Sequence, residues 1–346
     1  MKTDAAFYPE LKTVWHSIGT AIEGASRIFI TTHVNPDGDA IGSEMAFGRF
    51  LVAMGKQVRI INESKTPAMY AFLDPDGIIE SVETDGERIF HDPPSDEDVV
   101  LFLDLGNYER AGRAAGFLTG DGARTIIIDH HESPSAFADI SVVNPRAEST
   151  GSLVYDLMRT IGPSLIDSTI AEAVLTAVVT DSGYFAYSNT TSATLNIAAS
   201  LYTYGISMHG LRKRIESTQP FSRQKLLGLC LAQTALADHG RIAWSYITTE
   251  MFERSGSSRE HTEGIINHIR LIDGTAVALL VIQEEALKWK LSLRSHSGIR
   301  VNDIASRLGG GGHERAAGAT LSGTLEEVSQ KALDAITAAL NTEHTT

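Results

Sequence analysis

Four short apolar runs, none of them alternating, constrain this chain more than any other feature of its sequence. RIFITT (27–32), QVRII (57–61), VVLFLD (99–104) and RTIIID (124–129) are dominated by β-branched and aliphatic side chains. A continuous apolar run of that length bounded by polar clusters reads as a strand buried on both faces. Between the first two runs a helix is predicted from about Ala40 to Met54, with Asp39 as its N-cap and Gly55 just past its end. Buried strands interleaved with helices predict an α/β fold built on a doubly wound, mainly parallel sheet, because crossover helices cover both faces of such a sheet. Ligands of these sheets sit beyond the carboxyl ends of the strands. The residues that follow each run are therefore the candidates for function.

Those residues are acids and imidazoles. The first run leads into His33, Asp37 and Asp39, the third ends on Asp104, and the fourth ends on Asp129 followed by His130 and His131. A helix predicted over 168–180 ends in Asp181, where a carboxylate faces the negative end of the helix dipole. Each also has an ordinary reading. Asn35-Pro36-Asp37-Gly38 is a β-turn sequence, Asp104 an N-cap, the two imidazoles satisfied groups at a helix entry, and Asp181 a turn residue. Charge separates these readings from a shared site. Asp37, Asp39, Asp104 and Asp181 would gather four negative charges on one edge, with only Arg110 and Arg113 nearby to offset them. Two divalent cations would neutralise that edge. Carboxylates mixed with imidazole and no thiolate favour Mn²⁺, with Mg²⁺ or Co²⁺ as substitutes, and paired metals suit in-line displacement at phosphorus.

The chain has 346 residues, room for two domains. Strand signals lapse after about residue 189, so the organisation expected is a first domain over 1–188, a helical linker over 189–222, and a smaller α+β domain over 223–346. In the last, strands are predicted at 241–248, 276–284 and 288–295. Its most conspicuous segment is Gly309-Gly310-Gly311-Gly312, followed by His313 and Arg315 ahead of a helix-like AAGA. That segment is either a flexible turn or a cradle in which backbone N–H groups approach an anion. Arg294, in LSLRS, could add a bidentate phosphate contact. A formal charge of −14 excludes broad attraction to long duplex nucleic acid or an anionic membrane. The single Cys230 excludes an internal disulfide and a tetrathiolate metal site. With no apolar run of about 18 residues and no signal-peptide pattern, the expected location is the cytoplasm.

Taken together these segments resemble the DHH phosphoesterase family. His33-Val34-Asn35-Pro36-Asp37-Gly38-Asp39 matches its first motif, Asp104 its second, Asp129-His130-His131 its third and Asp181 its fourth. Gly309 to Gly318 resembles the glycine-rich signature of the DHH-associated C-terminal domain. The resemblance implies two Mn²⁺ ions, one held by His33 and Asp37 and the other by Asp39, His130 and Asp181, with Asp104 bridging them. It implies that His131 faces the scissile phosphate with Asp129 behind it, and that Arg294, Gly311, Gly312, His313, Arg315 and Arg110 contact the substrate. RecJ-like exonucleases are longer, the cyclic-dinucleotide phosphodiesterases of the family carry membrane segments, and its manganese pyrophosphatases end in a different domain. The compact nanoRNase branch remains. It implies that a metal-bound hydroxide hydrolyses short single-stranded oligoribonucleotides, or a nucleoside 3′,5′-bisphosphate such as 3′-phosphoadenosine 5′-phosphate. The alternatives are an exopolyphosphatase or pyrophosphatase and a catalytically silent nucleotide-binding module. A second copy of the chain is a candidate partner.

Overall fold

A computed structural model describes residues 6–119, 122–131, 137–216, 220–296 and 299–342. The chain divides into two compact units, residues 1–218 and 219–346.

In the first unit β1 (Arg27–Thr31), β2 (Gln57–Asn62), β3 (Ile79–Ser81), β4 (Val99–Leu103), β5 (Arg124–Asp129) and β6 (Ile140–Val143) form one sheet. Its order is β3-β2-β1-β4-β5-β6, with every neighbouring pair parallel. The four apolar runs are its four central strands. The edge strands β3 and β6 are only three and four residues long, and neither carries a continuous apolar run that sequence alone would flag. Around the sheet lie α1 (Lys12–Gly24), α2 (Gly38–Ala53), α3 (Val82–Asp85), α4 (Arg113–Leu118), α5 (Thr150–Ile161), α6 (Ser168–Asp181), α7 (Ser192–Tyr202) and α8 (Met208–Glu216).

Because successive strand side chains point to opposite faces, each central strand feeds two cores. Ile28, Ile30, Leu101, Leu103, Ile126 and Ile128 pack on one face with residues of α1, α2, α5 and α6. Phe29, Val100, Phe102 and Ile127 pack on the other with Ala114, Ala115 and Leu118 of α4. The helices expected between the domains, α7 and α8, bury Ile197, Leu201, Leu211 and Ile215 in the core of this unit, and residues 217–219 of that stretch lie outside the described residues. At Gly151 a Cβ would stand 2.3 Å from Cβ of Ala177, so only glycine lets the start of α5 approach α6 this closely. One expectation needs correcting. Helix α2, expected to start at about Ala40, starts at Gly38 and is capped by Asp37, not Asp39: the Asp37 carboxylate accepts from the backbone N–H groups of Asp39 and Ala40. Asp39, two residues later and inside the first turn of α2, is freed for the site.

The second unit holds β7 (Ala235–Ala237), β8 (Ile242–Ile247), β9 (Val277–Glu285), β10 (Lys288–Ser295), β11 (Gly311–His313) and β12 (Ala316–Ser322). The order is β11-β12-β10-β9-β8-β7, antiparallel except for the parallel pair β8–β9. With it go α9 (Phe221–Ala232), α10 (Thr249–Ser255), α11 (Ile265–Arg270), α12 (Val301–Arg307) and α13 (Leu325–Thr342). Leu279, Val281, Leu291 and Leu293 meet Ile304 and Ile336 on one face, while Ala278 and Leu280 meet Leu226 and Ile265 on the other. Cys230 is packed in α9 and hydrogen-bonds the Ser245 hydroxyl. The AAGA segment is a strand and not a helix. Ala317, Ala319 and Leu321 are buried in alternation along β12, a period of two that the helix-favouring alanines disguise. Among the described residues no helix is long and apolar enough to cross a membrane.

Candidate functional site

The strand order reverses direction between β1 and β4, and the crevice outside their carboxyl ends is where a doubly wound sheet takes its ligands. His33 leaves β1 at that point and Asp104 follows β4 there. Asp104 has φ +56°, a left-handed conformation that costs a non-glycine residue about 1 to 3 kcal/mol. Its backbone N–H donates to the Ile128 carbonyl at 3.1 Å, so the turn is held by the neighbouring strand.

Three groups of side chains present ligand atoms lying within 4.8 Å of one another: His33, Asp37 and Asp104; Asp39, His130 and Asp181; and Asp104, His130 and His131. Asp104 stands between the first two groups. Its Oδ2 lies 3.6 Å from Nε2 of His33 and its Oδ1 3.5 Å from Nε2 of His130. The same His130 nitrogen is 3.6 Å from Asp39 and 3.9 Å from Asp181. Both imidazoles are fixed from behind, with Nδ1 of His33 at 2.9 Å from the Val34 carbonyl and Nδ1 of His130 at 3.3 Å from that of Ala147. A carbonyl only accepts, so Nδ1 carries a hydrogen, and the neutral ring turns the Nε2 lone pair toward the cluster. This is the arrangement metal-ligating histidines use.

The charges in this cluster do not balance by themselves. Burial, reinforced by Asp104, Asp181 and Asp37, holds the Asp39 carboxyl well above the usual carboxylate range. Burial raises Asp181 to about 7 against the pull of His130, with Asp37 and Asp104 adding to the rise. Burial alone would depress His33 and His130, yet the acids around them hold both imidazoles above their ordinary value. Asp104 takes the benefit: despite burial, the nearby imidazoles of His33, His131 and His130 hold it far below the usual range. Two acids that resist ionisation beside two imidazoles that hold protons describe a site short of positive charge. Oxygen and imidazole nitrogen donors, converging and without thiolate, fit divalent cations of the Mn²⁺ or Mg²⁺ kind.

Beside this cluster Asp129 organises His131. One Asp129 oxygen lies 2.6 Å from His131 Nδ1 and the other accepts the Gly106 N–H at 2.9 Å. Burial opposes its charge, but the His131 hydrogen bond holds the Asp129 carboxyl below its ordinary value. His131 Nε2 lies 3.2 Å from an Arg110 guanidinium nitrogen. Arg113, the other nearby cation, is paired with Glu63 at 2.7 Å.

Four further residues contact the cluster that sequence reasoning missed. The backbone N–H groups of Thr150 and Gly151 and the Ser43 hydroxyl converge on Asp39, and the Asn189 amide donates to the Asp181 carboxylate at 3.2 Å. Ser149 ahead of an amphipathic stretch is a readable helix cap, but nothing local says that the helix it starts will land on Asp39.

In the second unit the residues expected to contact substrate share one end of the sheet. Register pairs His313 with Ala316 and Ala316 with Arg294, and paired residues on adjacent strands present their side chains to the same face. Ala316 thus separates His313 from Arg294, and Arg315 precedes it. Gly311, Gly312 and His313 form an exposed edge strand. Of the four glycines, Gly310 is packed so tightly that a Cβ would stand 2.0 Å from the Gly318 carbonyl oxygen, whereas Gly311 has nothing within 4 Å.

Residues 27–178 match the DHH family, N-terminal domain, and residues 242–342 match the DHHA1 domain. The bifunctional oligoribonuclease and PAP phosphatase NrnA of Thermus thermophilus is 33% identical over 319 residues, which cover 91% of this chain and 90% of that protein. The chain belongs to the DHH family. As a DHH protein it is a hydrolase of phosphoester bonds. An exopolyphosphatase-related protein from Bacteroides fragilis matches it with TM-score 0.88 and 27% identity over 95% of this chain and 98% of that one. The exonuclease RecJ bound to manganese matches with TM-score 0.51 and 15% identity over 95% and 94%, a likeness of fold.

Proposed function

We propose that this DHH protein is a Mn²⁺-dependent hydrolase of very short oligoribonucleotides and of 3′-phosphoadenosine 5′-phosphate, releasing nucleoside monophosphates. The observation that carries the reading is Asp104 standing between two imidazole–carboxylate groups at the switch point of the sheet. His33 and Asp37 would hold one cation, Asp39, His130 and Asp181 a second, and Asp104 would be shared. Divalent cations, when bound there, supply charge that polarises the phosphoester and makes an attacking water more acidic.

The chain's own residues do the rest. Asp129 accepts the Nδ1–H of His131 and turns Nε2 toward Arg110. The guanidinium can only donate, so Nε2 accepts from it, and Arg110 held in this way by His131 can offer its remaining N–H groups to a phosphate oxygen. Arg294, Arg315, the His313 imidazole and the open backbone of Gly311 would be the phosphate-binding groups of the second unit, whereas Gly312 is packed against Ala316 and Ala317. The net charge of −14 supports short substrates, since a long polynucleotide would need a basic track. The Thermus thermophilus relative, by its name an oligoribonuclease and PAP phosphatase, supports the same choice.

The test is a comparison of initial rates with Mn²⁺ on an RNA dinucleotide, a long single-stranded RNA, 3′-phosphoadenosine 5′-phosphate and polyphosphate. The dinucleotide and the bisphosphate should lead, and Asp104→Ala should abolish both activities at saturating metal. Faster phosphate release from polyphosphate would overturn the substrate assignment, and full activity in Asp104→Ala would overturn the mechanism.

A further inference from the structure

We infer that Thr150 is the positioning residue for Asp104, the group that fixes the plane of the carboxylate on which both halves of the cluster depend. The inference rests on the reading above, in which Asp104 is shared between two cations.

The start of α5 is capped by Ser149, whose hydroxyl accepts the Ser152 N–H at 3.1 Å. That leaves the first N–H groups of the helix for the cluster, and they are spent on one acid. Thr150 N–H donates to Asp39 Oδ2 at 2.7 Å and Gly151 N–H to Asp39 Oδ1 at 2.9 Å. The Thr150 side chain turns to a different acid. Fully buried, its hydroxyl donates to Asp104 Oδ1 at 3.1 Å. One residue therefore ties the two groups together, by its backbone to Asp39 and by its hydroxyl to Asp104.

The chosen oxygen matters. Oδ1 faces His130 and Oδ2 faces His33, at 3.5 and 3.6 Å. A carboxylate that offers one oxygen to each side cannot rotate about its Cβ–Cγ bond without withdrawing both. A hydroxyl on one lone pair of Oδ1 blocks that rotation while leaving the other lone pair available. Asp104 has no comparable brace from its own strand, because its backbone leaves β4 in the left-handed turn at φ +56°. Groups that hydrogen-bond a metal ligand from behind typically change metal affinity by about 10- to 100-fold when removed.

Thr150→Val keeps the shape and both backbone donors to Asp39 and removes only the hydroxyl; Thr150→Ser keeps the hydroxyl. Mn²⁺ binding to the full chain is measured by calorimetry, with a chelator-treated melt confirming that each variant is folded, and kcat and KM are read on the RNA dinucleotide. The valine variant should bind Mn²⁺ about 10- to 100-fold more weakly, with kcat lowered and KM for the dinucleotide unchanged at saturating metal, and the serine variant should restore both. Wild-type metal affinity in the valine variant, or no rescue by serine, overturns the proposal. Should the valine variant not fold, Thr150→Ala carries the same comparison. Asp104→Ala, run alongside, separates the two levels: if it binds Mn²⁺ as the wild type does, the metal reading itself fails, whereas weakened binding there with intact binding in Thr150→Val refutes the role of Thr150 alone.

Discussion

Replacing Glu44 by Gln should make the stability of the chelator-treated protein less sensitive to pH. Glu44 lies on α2, fully buried, in the layer beneath the cluster. One carboxyl oxygen accepts from the Asn62 amide at 2.8 Å, and the other, Oε1, has no hydrogen-bond partner among the described residues. Burial outweighs both that hydrogen bond and the nearby His33, and pushes the carboxyl from an ordinary 4.5 up to about 8. The native state therefore keeps a proton that the unfolded chain releases, so stability falls as pH rises through the window between those values and is level outside it. Each unit of pH inside the window is worth about 1.4 kcal/mol, which gives about 2 to 3 kcal/mol between about pH 5.5 and about pH 7.5. Gln cannot titrate, and its amide oxygen can still accept from Asn62. Any fixed cost of the new amide cancels when the variant is compared with the wild type at several pH values. Urea unfolding should show the Gln variant gaining that amount relative to wild type across the interval. A difference that does not change with pH would refute the reasoning.

Three other outcomes follow from the geometry. Gly310→Ala should lower the melting temperature, because its Cβ would collide with the Gly318 carbonyl, whereas Gly311→Ala should melt like the wild type and raise KM for the dinucleotide; equal melting temperatures for the two would contradict the packing argument. Asp181, raised to about 7, is protonated below that pH and ionised above it, so Mn²⁺ affinity measured by calorimetry should fall as the solution is taken from about pH 8 to about pH 6, and a flat profile would contradict the assignment. His131→Gln should lower kcat with little change in Mn²⁺ affinity, since His131 is placed by Asp129 and Arg110; loss of metal would instead mark it as a ligand.

The first unit was legible because a parallel sheet writes its central strands as unbroken apolar runs, and the rule about strand ends then points at His33, Asp104 and Asp129 without any knowledge of packing. The elements that sequence reasoning missed or misassigned each have a local cause. β3 and β6 are too short to show a period. Asp37 and Asp39 are both acceptable caps, and only the fold decides between them, by giving Asp39 to the α5 N-terminus. Ala316 to Ala319 reads as helix by composition, while the register against β10 makes it a strand. Thr150 could not have been found at all, since its two partners lie 46 and 111 residues away and a threonine at a helix start is unremarkable by itself.

The most direct measurement is anomalous diffraction at the manganese edge from crystals grown with Mn²⁺. Two peaks should appear, one against His33, Asp37 and Asp104 and the other against Asp39, His130 and Asp181, with Asp104 touching both. A single peak that leaves Asp104 on one ion, or peaks only away from these six side chains, would contradict the account.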